Sequence, residues 1–159
     1  MAHISHRNKV VLKQTSRPRI LAADDDLSIR KLLCTMVRRE GFDIDCVSDG
    51  GQAIQKLQEH QYSVILLDLM MPRVSGFEVI EFLKKHPPAI KPVVLVITAY
   101  ADQTFKRVDA SIVAGVLRKP FEVVDLGGIV RLCVDGYEEE VMEQSSAPSV
   151  QEQGDARPD

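Results

Sequence analysis

Hydrophobic residues in this chain form short continuous runs that are separated by longer stretches with helical periodicity. The short runs, which predict β-strands, lie at residues 19–23, 42–48, 63–67, 92–98 and 115–118. Between them, apolar residues recur three and four positions apart, which predicts helices. The helical pattern is weakest over residues 102–110. The chain therefore reads as a strand followed by a helix, repeated five times.

This alternation predicts an α/β fold, because strands that alternate with helices favour a parallel sheet covered on both faces. Right-handed crossovers then give a doubly wound, five-stranded parallel sheet with five helices. In such sheets, functional groups collect beyond the carboxyl ends of the strands. The residues that follow each strand are therefore the first place to look for chemistry.

The ends of the chain differ in composition from its middle. Residues 1–18 are basic and contain no acid, whereas residues 138–159 are acidic and then rich in Ser, Gln and Pro. A segment of that second kind has too little apolar surface to order itself. We expect a flexible N-terminal arm over 1–18, one folded domain over 19–137 and a disordered tail over 138–159.

The bulk composition narrows the class of protein. The 159 residues suit one domain, and the net charge of -3 disfavours general binding to nucleic acid. No apolar stretch is long enough for a membrane span, and no signal peptide is visible, so we expect a cytoplasmic protein. The three scattered cysteines form no CxxC pair, and we expect them to be reduced.

Polar side chains stand where four of the predicted strands end. They comprise carboxylates after the first and third strands, a hydroxyl at the end of the fourth and an ammonium after the fifth: Asp24, Asp25, Asp26, Asp68, Thr98 and Lys119. An aspartate after an apolar run often caps the next helix, which is a sufficient role for Asp26. Helix capping explains less well why several acids should converge with a Thr and a Lys.

These residue types together are suited to phosphoryl transfer. Neighbouring carboxylates repel one another, and a divalent cation such as Mg²⁺ relieves that repulsion. A carboxylate can attack phosphorus and form an aspartyl phosphate. Lys119 and the Thr98 hydroxyl can contact the phosphoryl oxygens, since this chemistry depends on positioning and charge neutralisation.

Four segments of the chain resemble the signatures of response-regulator receiver domains, the phosphoacceptor modules of two-component signalling. They read "ILAADDDLSIR", "VILLDLMMPRVSG", "VLVITAY" and "GVLRKPF", in the family's order. Each segment is a weak signal, but four of them on strands of one alternating fold are specific. The resemblance implies a flavodoxin-like strand order of 2-1-3-4-5.

The resemblance also implies roles for individual residues. Asp68 matches the phosphoacceptor, and Asp24 and Asp25 match the acidic pair that holds Mg²⁺ together with Asp68. Met70 matches the position whose backbone carbonyl ligates the metal. Thr98 matches the switch hydroxyl.

Three further correspondences concern the loops around this group. Lys119 matches the phosphate-binding lysine, and the family often has a cis peptide bond before the following proline, here Pro120. Pro72 and Gly76 match the loop after the phosphoacceptor.

The sequence departs from the family pattern in three places. The family often has an aromatic residue where Val116 stands, and valine lacks the ring that couples to the switch hydroxyl in the family. Met70 and Tyr100 place bulky side chains beside the phosphoryl position, which predicts slow self-hydrolysis. The pair at 127–128, two glycines within the last helix, predicts either a frayed or kinked helix or one that a partner rearranges.

The leading hypothesis is a signalling switch, phosphorylated on Asp68 by a histidine kinase or phosphotransfer protein, rather than an enzyme that acts on an external substrate. The domain would promote its own phosphorylation and dephosphorylation. A homodimer through the fourth helix, fifth strand and fifth helix would fit the family, with no membrane or direct nucleic-acid contact expected. The alternatives are a degenerate receiver that only binds proteins and an Asp-nucleophile phosphohydrolase, although Met70 stands where that enzyme class has a second Asp.

Overall fold

The structure, a computed structural model, describes residues 17–147. Five strands alternate with five helices along the chain, and their bounds are as follows: β1 Arg19–Ala23, α1 Leu27–Arg39, β2 Asp43–Val47, α2 Gly50–Glu59, β3 Val64–Leu67, α3 Gly76–Lys85, β4 Val93–Thr98, α4 Ala101–Thr104, β5 Val113–Arg118 and α5 Val123–Ser146. The strands form one sheet in the order β2-β1-β3-β4-β5. Every neighbouring pair is parallel, as predicted.

The alternation of side chains along each strand builds two cores, one on each face of the sheet. In β1, Leu21 and Ala23 point to the face that α2 and α3 cover, whereas Ile20 and Ala22 point to the face covered by α1 and α5. All four side chains are at most 1 % exposed. Burial on both faces explains why the middle strands are apolar throughout.

Helix α4 is shorter than predicted, because it ends at Thr104 whereas the prediction extended to residue 110. Its N-terminal cap, Tyr100, makes no side-chain hydrogen bond to the helix. Farther along, the carboxylate of Asp109 accepts hydrogen bonds from the backbone N–H and the hydroxyl of Ser111. This local side-chain bonding favours a turn at residues 109–111, just before β5 begins at Val113.

Helix α5 is longer than predicted, because it continues to Ser146. The prediction that the disordered tail begins at residue 138 was therefore wrong for residues 138–146. Glutamate is a good helix former, and an established helix propagates readily. The Gln144 amide also donates to Glu140 one turn earlier. The rest of the predicted tail, 148–159, and most of the predicted arm, 1–16, lie outside the described residues.

The expectation of three reduced cysteines was also wrong for two of them. Cys34 on α1 and Cys46 on β2 form a disulfide, with their Cα atoms 7.0 Å apart. They are 12 positions apart in sequence, and only the packing of α1 beside β2 brings them together. Cys133 on α5 is free.

The adjacent glycines of α5, Gly127 and Gly128, have different surroundings. A Cβ atom on Gly127 would lie 3.1 Å from a carboxylate oxygen of Glu40, at the end of α1, whereas a Cβ on Gly128 would meet nothing within 4 Å. The same Glu40 carboxylate accepts two hydrogen bonds from Arg131, at 2.6 and 2.9 Å. Gly127 therefore leaves room for the Glu40 carboxylate that pairs with Arg131.

Candidate functional site

Three carboxylates meet at the carboxyl edge of the sheet. Asp24 and Asp25 follow β1, and Asp68 follows the adjacent strand β3. One carboxylate oxygen from each residue lies within 4.8 Å of the others. Because β1 and β3 are parallel neighbours in register, the residues that follow them emerge side by side. We refer to Asp24, Asp25 and Asp68 as the acidic cluster.

The backbone holds Asp68 in a nearly dry position. Its N–H donates to the carbonyl of Ala23 at 2.9 Å, which continues the β1–β3 ladder by one residue. The side chain accepts a hydrogen bond from the Met70 N–H at 3.3 Å, and the residue is only 6 % exposed. A carboxylate placed so deeply needs compensation from a nearby cation.

Lys119 supplies a positive charge next to the acidic cluster. Its Nζ donates to Asp24 Oδ2 at 2.6 Å and lies 3.6 Å from Asp68 Oδ2. The Lys119 N–H donates to the carbonyl of Thr98 at 2.9 Å, and the Lys119–Pro120 peptide bond is cis. Lys119 therefore reaches from the loop after β5 across β4 to the two buried carboxylates.

The electrostatics of the site reflect this crowding. Burial raises the pKa of Asp68 to about 6, and the charge of Asp24 adds to the rise, while Lys119 opposes it. Burial acts to lower the pKa of Lys119, but its hydrogen bond to Asp24 and the charges of Asp68 and Asp24 outweigh burial and raise that pKa. A raised carboxyl pKa that results from burial and from a specific charged neighbour, here Asp24, is typical of functional sites.

The predicted hydroxyl is present at the same edge. Thr98 ends β4, the strand next to β3, and is 2 % exposed. Its Oγ1 accepts a hydrogen bond from the Tyr100 N–H at 3.2 Å. Thr98 therefore lies at the same edge of the sheet as the acidic cluster, and no hydrogen bond among the described residues joins it to that cluster.

Met70 and Tyr100, which we call the rim residues, follow the acidic cluster and Thr98 in the chain and donate their N–H groups to Asp68 and Thr98. Met70 is 62 % exposed and Tyr100 is 59 % exposed, although each is two residues beyond a buried strand-end residue. Exposed apolar side chains of this size beside a polar recess are available to cover a group bound there.

A close backbone approach fixes the loop that carries Met70. A Cβ atom on Gly76 would lie 2.3 Å from the carbonyl oxygen of Asp68 and 2.7 Å from the Cα of Leu69. The Gly76 N–H donates to the Leu69 carbonyl at 3.0 Å. Only glycine fits at this start of α3, which agrees with the sequence match at that position.

Sequence reasoning missed two arginines that support the site. Arg30 on α1 donates from Nη1 to the backbone carbonyl of Asp24 at 2.7 Å. Arg73, which adopts a left-handed backbone conformation with φ 63°, donates to Asp49 Oδ2 at 2.7 Å and so ties the loop after Asp68 to the start of α2. No local pattern marks either arginine, because each partner is distant in sequence or belongs to the backbone.

The donors of the acidic cluster fit a divalent cation. Asp24 and Asp68 share one ammonium, and Asp25 is exposed and makes none of the ion pairs found among the described residues. Three carboxylate oxygens within 4.8 Å of one another therefore carry more negative charge than Lys119 neutralises. Oxygen ligands with room for water are what Mg²⁺ accepts.

Comparisons with known proteins all identify the same family. The family model described as "Response regulator receiver domain" matches residues 20–131. The DNA-binding response regulator MtrA of Mycolicibacterium smegmatis is 33 % identical over 144 residues, which cover 86 % of this chain and 59 % of MtrA. The chain thus spans less than two thirds of that relative's length.

Solved structures agree with the sequence matches. The receiver domain of the Francisella response regulator 1452 is 27 % identical with a TM-score of 0.65, over 77 % of this chain and 98 % of that one. The response regulator TrrA of Thermotoga maritima, solved in complex with Mg(2+)-BeF, is 28 % identical with a TM-score of 0.65, over 73 % and 98 % of the two chains. Within residues 17–147, no helix has both the length and the apolar character needed to cross a membrane.

Proposed function

This chain belongs to the response regulator receiver domain family, and from that premise we propose that it is a phosphorylation-dependent signalling switch that accepts a phosphoryl group on Asp68. The observation that carries the proposal is the placement of the Asp68 carboxylate, with Lys119 Nζ 3.6 Å away and Asp24 and Asp25 in the same cluster. A nucleophile, a cation and metal-binding oxygens thus occupy one recess.

The phosphoryl donor would be a phosphohistidine of a histidine kinase or phosphotransfer protein. A carboxylate oxygen of Asp68 attacks the phosphorus, the P–N bond breaks, and the imidazole nitrogen leaves with the bonding electrons. The product is an aspartyl phosphate on Asp68. The raised pKa of Asp68 leaves most of the carboxyl deprotonated at pH 7, so the nucleophile is available.

The other residues of the recess would bind and orient the phosphoryl group. Asp24, Asp25 and Asp68 would hold Mg²⁺ with the backbone carbonyl of Met70, and a bound Mg²⁺ supplies charge neutralisation for the phosphoryl oxygens. Lys119 would exchange its present bond to Asp24 for one to a phosphoryl oxygen. Thr98 would donate its hydroxyl proton to another oxygen, which requires its side chain to move towards Asp68.

These two movements provide the output of the switch. Thr98 leads into α4, and Lys119 follows β5 and precedes α5. Phosphorylation would therefore shift the surface formed by α4, β5 and α5, where we propose that a homodimer forms. We propose a cytoplasmic location. We also propose that the domain acts on no external substrate, since the phosphate that it loses to water would be its own.

One observation favours the degenerate receiver, a module that binds proteins without phosphorylation, as a second candidate. Val116, which pairs with Val96 in the β4–β5 ladder, replaces the aromatic residue that the resemblance implies. The phosphohydrolase is less well supported, because the exposed thioether of Met70 cannot act as a general acid or base. The words "DNA-binding" in the relative's name describe that protein, and for residues 19–137 we propose no nucleic-acid contact.

Intact-protein mass spectrometry with acetyl phosphate, with and without Mg²⁺, tests the proposal. The expected result is a gain of one phosphoryl group that requires Mg²⁺ and is lost in Asp68→Asn. Asp26→Asn is the matched control, because Asp26 stands beside the acidic cluster but caps α1, and asparagine caps a helix equally well. No adduct in the wild type supports the degenerate receiver, whereas multiple turnover of an external phosphoester supports the hydrolase.

A further inference from the structure

The disulfide between Cys34 and Cys46 joins the two elements that flank Asp24. Cys34 lies on α1, which begins three residues after Asp24, and Cys46 lies on β2, which pairs with β1. Among the strands of residues 17–147, β2 is at the edge of the sheet and has β1 as its only neighbour. The cross-link is thus an additional tie between an edge strand and the helix beside it.

Both elements also hold the backbone of Asp24 by hydrogen bonds. The Asp24 N–H donates to the carbonyl of Val47, the residue after Cys46, at 3.1 Å. Arg30, one helical turn before Cys34, donates from Nη1 to the Asp24 carbonyl at 2.7 Å. Val47 and Arg30, the two residues that bind the Asp24 backbone, therefore lie on the two elements that the disulfide holds together.

The two cysteines are accessible to small thiols and disulfides, since both side chains are partly exposed. Cys133 is also partly exposed, but it is not part of the disulfide, and burial raises the pKa of its thiol. In a reducing compartment a disulfide is uncommon, and those that occur there are usually transient or redox-sensing.

We infer that Cys34 and Cys46 are a reversible thiol–disulfide site, and that their cross-link stabilises the backbone geometry that presents Asp24 to a metal ion. The first part does not require phosphorylation of Asp68, and it shares only the cytoplasmic location proposed above. The second part rests on that function, since it requires the acidic cluster to bind Mg²⁺.

The oxidant would be a low-molecular-weight disulfide such as oxidised glutathione. The thiolate of one cysteine attacks that disulfide, its S–S bond breaks, and one glutathione leaves as a thiol after taking a proton. The thiolate of the second cysteine then attacks the mixed disulfide and releases the second glutathione. In total the protein loses two protons and two electrons, and oxidised glutathione gains them.

Thiol counting on the full chain tests the first part. After treatment with oxidised glutathione and removal of excess reagent, maleimide should label one of the three cysteines, and peptide mapping should place that label on Cys133. After dithiothreitol, all three should be labelled. Cys133→Ser is the matched control and should show no label when oxidised and two labels when reduced. Stable glutathione adducts without a Cys34–Cys46 cross-link would overturn this part.

Calorimetric titration with Mg²⁺ tests the second part. Loss of contacts that support metal ligands typically weakens metal binding about 10- to 100-fold, and the reduced protein keeps these contacts in a looser form, so we expect reduction to weaken Mg²⁺ binding by roughly three- to tenfold. Cys34→Ser/Cys46→Ser should bind like the reduced wild type under both conditions, while Cys133→Ser should respond to oxidation as the wild type does.

The outcomes separate this inference from the proposed function. Equal Mg²⁺ affinity of the oxidised and reduced wild type overturns the link to Asp24, while phosphorylation of Asp68 by acetyl phosphate would still support the switch. Absence of both Mg²⁺ binding and phosphorylation overturns the proposed function and the link together. The thiol count stands or fails independently of either result.

Discussion

At the scale of single residues, the central feature is a carboxylate kept out of water. Asp68 is 6 % exposed, and its compensating charge, Lys119, is 1.0 Å closer to Asp24 (2.6 Å) than to Asp68 (3.6 Å). Asp68 is therefore only partly neutralised in the fold. Burial and the charge of Asp24 outweigh the effect of Lys119, so the pKa of Asp68 rises although a lysine is close by.

The pH dependence of stability should reveal this carboxyl. Burial and the charge of Asp24 raise its pKa to about 6, whereas an aspartate in the unfolded chain titrates near 3.9. Because the folded value is higher, the contribution of Asp68 to stability is fully present below about pH 4 and is lost as the pH rises through about 6. The shift corresponds to about 3 kcal/mol.

Urea denaturation without Mg²⁺ measures this effect when Asp68→Asn serves as the reference, because asparagine does not titrate. The free energy of unfolding of the wild type minus that of the variant should fall by about 2–3 kcal/mol between about pH 4 and about pH 7. A difference that stays constant with pH would contradict the buried, partly neutralised carboxylate.

The rim residues make a prediction about phosphate lifetime. If exposed Met70 and Tyr100 cover the phosphoryl group, polar replacements that orient water should accelerate its loss. Met70→Asn with Tyr100→Glu should speed dephosphorylation on the order of tenfold, less than the roughly 10²-fold or more that a full general acid–base contributes. The decay of phosphoprotein after removal of the donor gives the rate.

Met142→Asn provides the matched control, because Met142 is as exposed as Met70, at 59 %, but lies near the end of α5. Its rate should equal that of the wild type. An unchanged rate in the double variant would show that the rim does not limit the access of water.

At the scale of elements, the loop between β3 and α3 is held from two sides. Gly76 allows α3 to begin against the backbone of Asp68, and the Gly50 N–H donates to the Val74 carbonyl at 2.9 Å. The Arg73–Asp49 ion pair adds a second tie between this loop and the start of α2. Asp68 therefore stands at a strand end whose following loop has little freedom to move.

Two glycine-to-alanine substitutions should have opposite effects on stability. Gly76→Ala places a methyl group against backbone atoms that cannot move aside, so the free energy of unfolding should fall by about 3 kcal/mol. Gly128→Ala places the methyl group in open space within a helix, so stability should rise by about 1 kcal/mol.

Urea denaturation of both variants checks this pair, and circular dichroism confirms that each variant is folded. Gly76→Ala should also weaken Mg²⁺ binding, since the displaced loop carries the Met70 carbonyl. Equal stability of Gly76→Ala and the wild type would mean that the β3–α3 loop can adjust more freely than its close contacts indicate.

At the scale of the whole molecule, the edge strand β5 lies between α4 and α5. Large exposed apolar side chains occur on both sides of this edge, with Phe105 after α4 and Leu132 on α5 at 73 % and 72 % exposure. An ion pair between Arg118 and Asp102 connects β5 to α4. Apolar groups near charged pairs are typical of a surface that binds another protein.

Size-exclusion chromatography with light scattering tests whether that partner is a second copy. Mg²⁺ with beryllofluoride should shift the protein from monomer to dimer, and Leu132→Asp should prevent the shift by placing a charge in the interface. Leu32→Asp, a comparable change on α1, should leave dimer formation intact. A protein that remains monomeric with a bound phosphoryl analogue would remove the proposed dimer.

The fold could be predicted from the sequence because each strand and most helices are marked by a local hydrophobic pattern, and the strand–helix pair recurs five times. The apolar runs predicted all five strands to within about two residues, and the strand order that the resemblance implied is confirmed. The cap role suggested for Asp26 is confirmed by its hydrogen bonds to Ser28 and Ile29. The errors arose where local patterns are weak, as in the short α4, or where helix propensity outweighed polarity, as after Tyr137.

The sequence by itself determined that Asp24, Asp25, Asp68, Thr98 and Lys119 lie at one edge of the molecule, because parallel strands all end on the same side of a sheet. The tertiary structure alone decided how they and their supports meet: the closer pairing of Lys119 with Asp24, the contact of Arg30 with the Asp24 carbonyl, and the joining of Cys34 to Cys46. The hydrophobic periodicity of the sequence predicts the type of each element and the face that it buries. The contacts named above depend instead on how the helices pack against the sheet, and no local pattern relates the residues that they join.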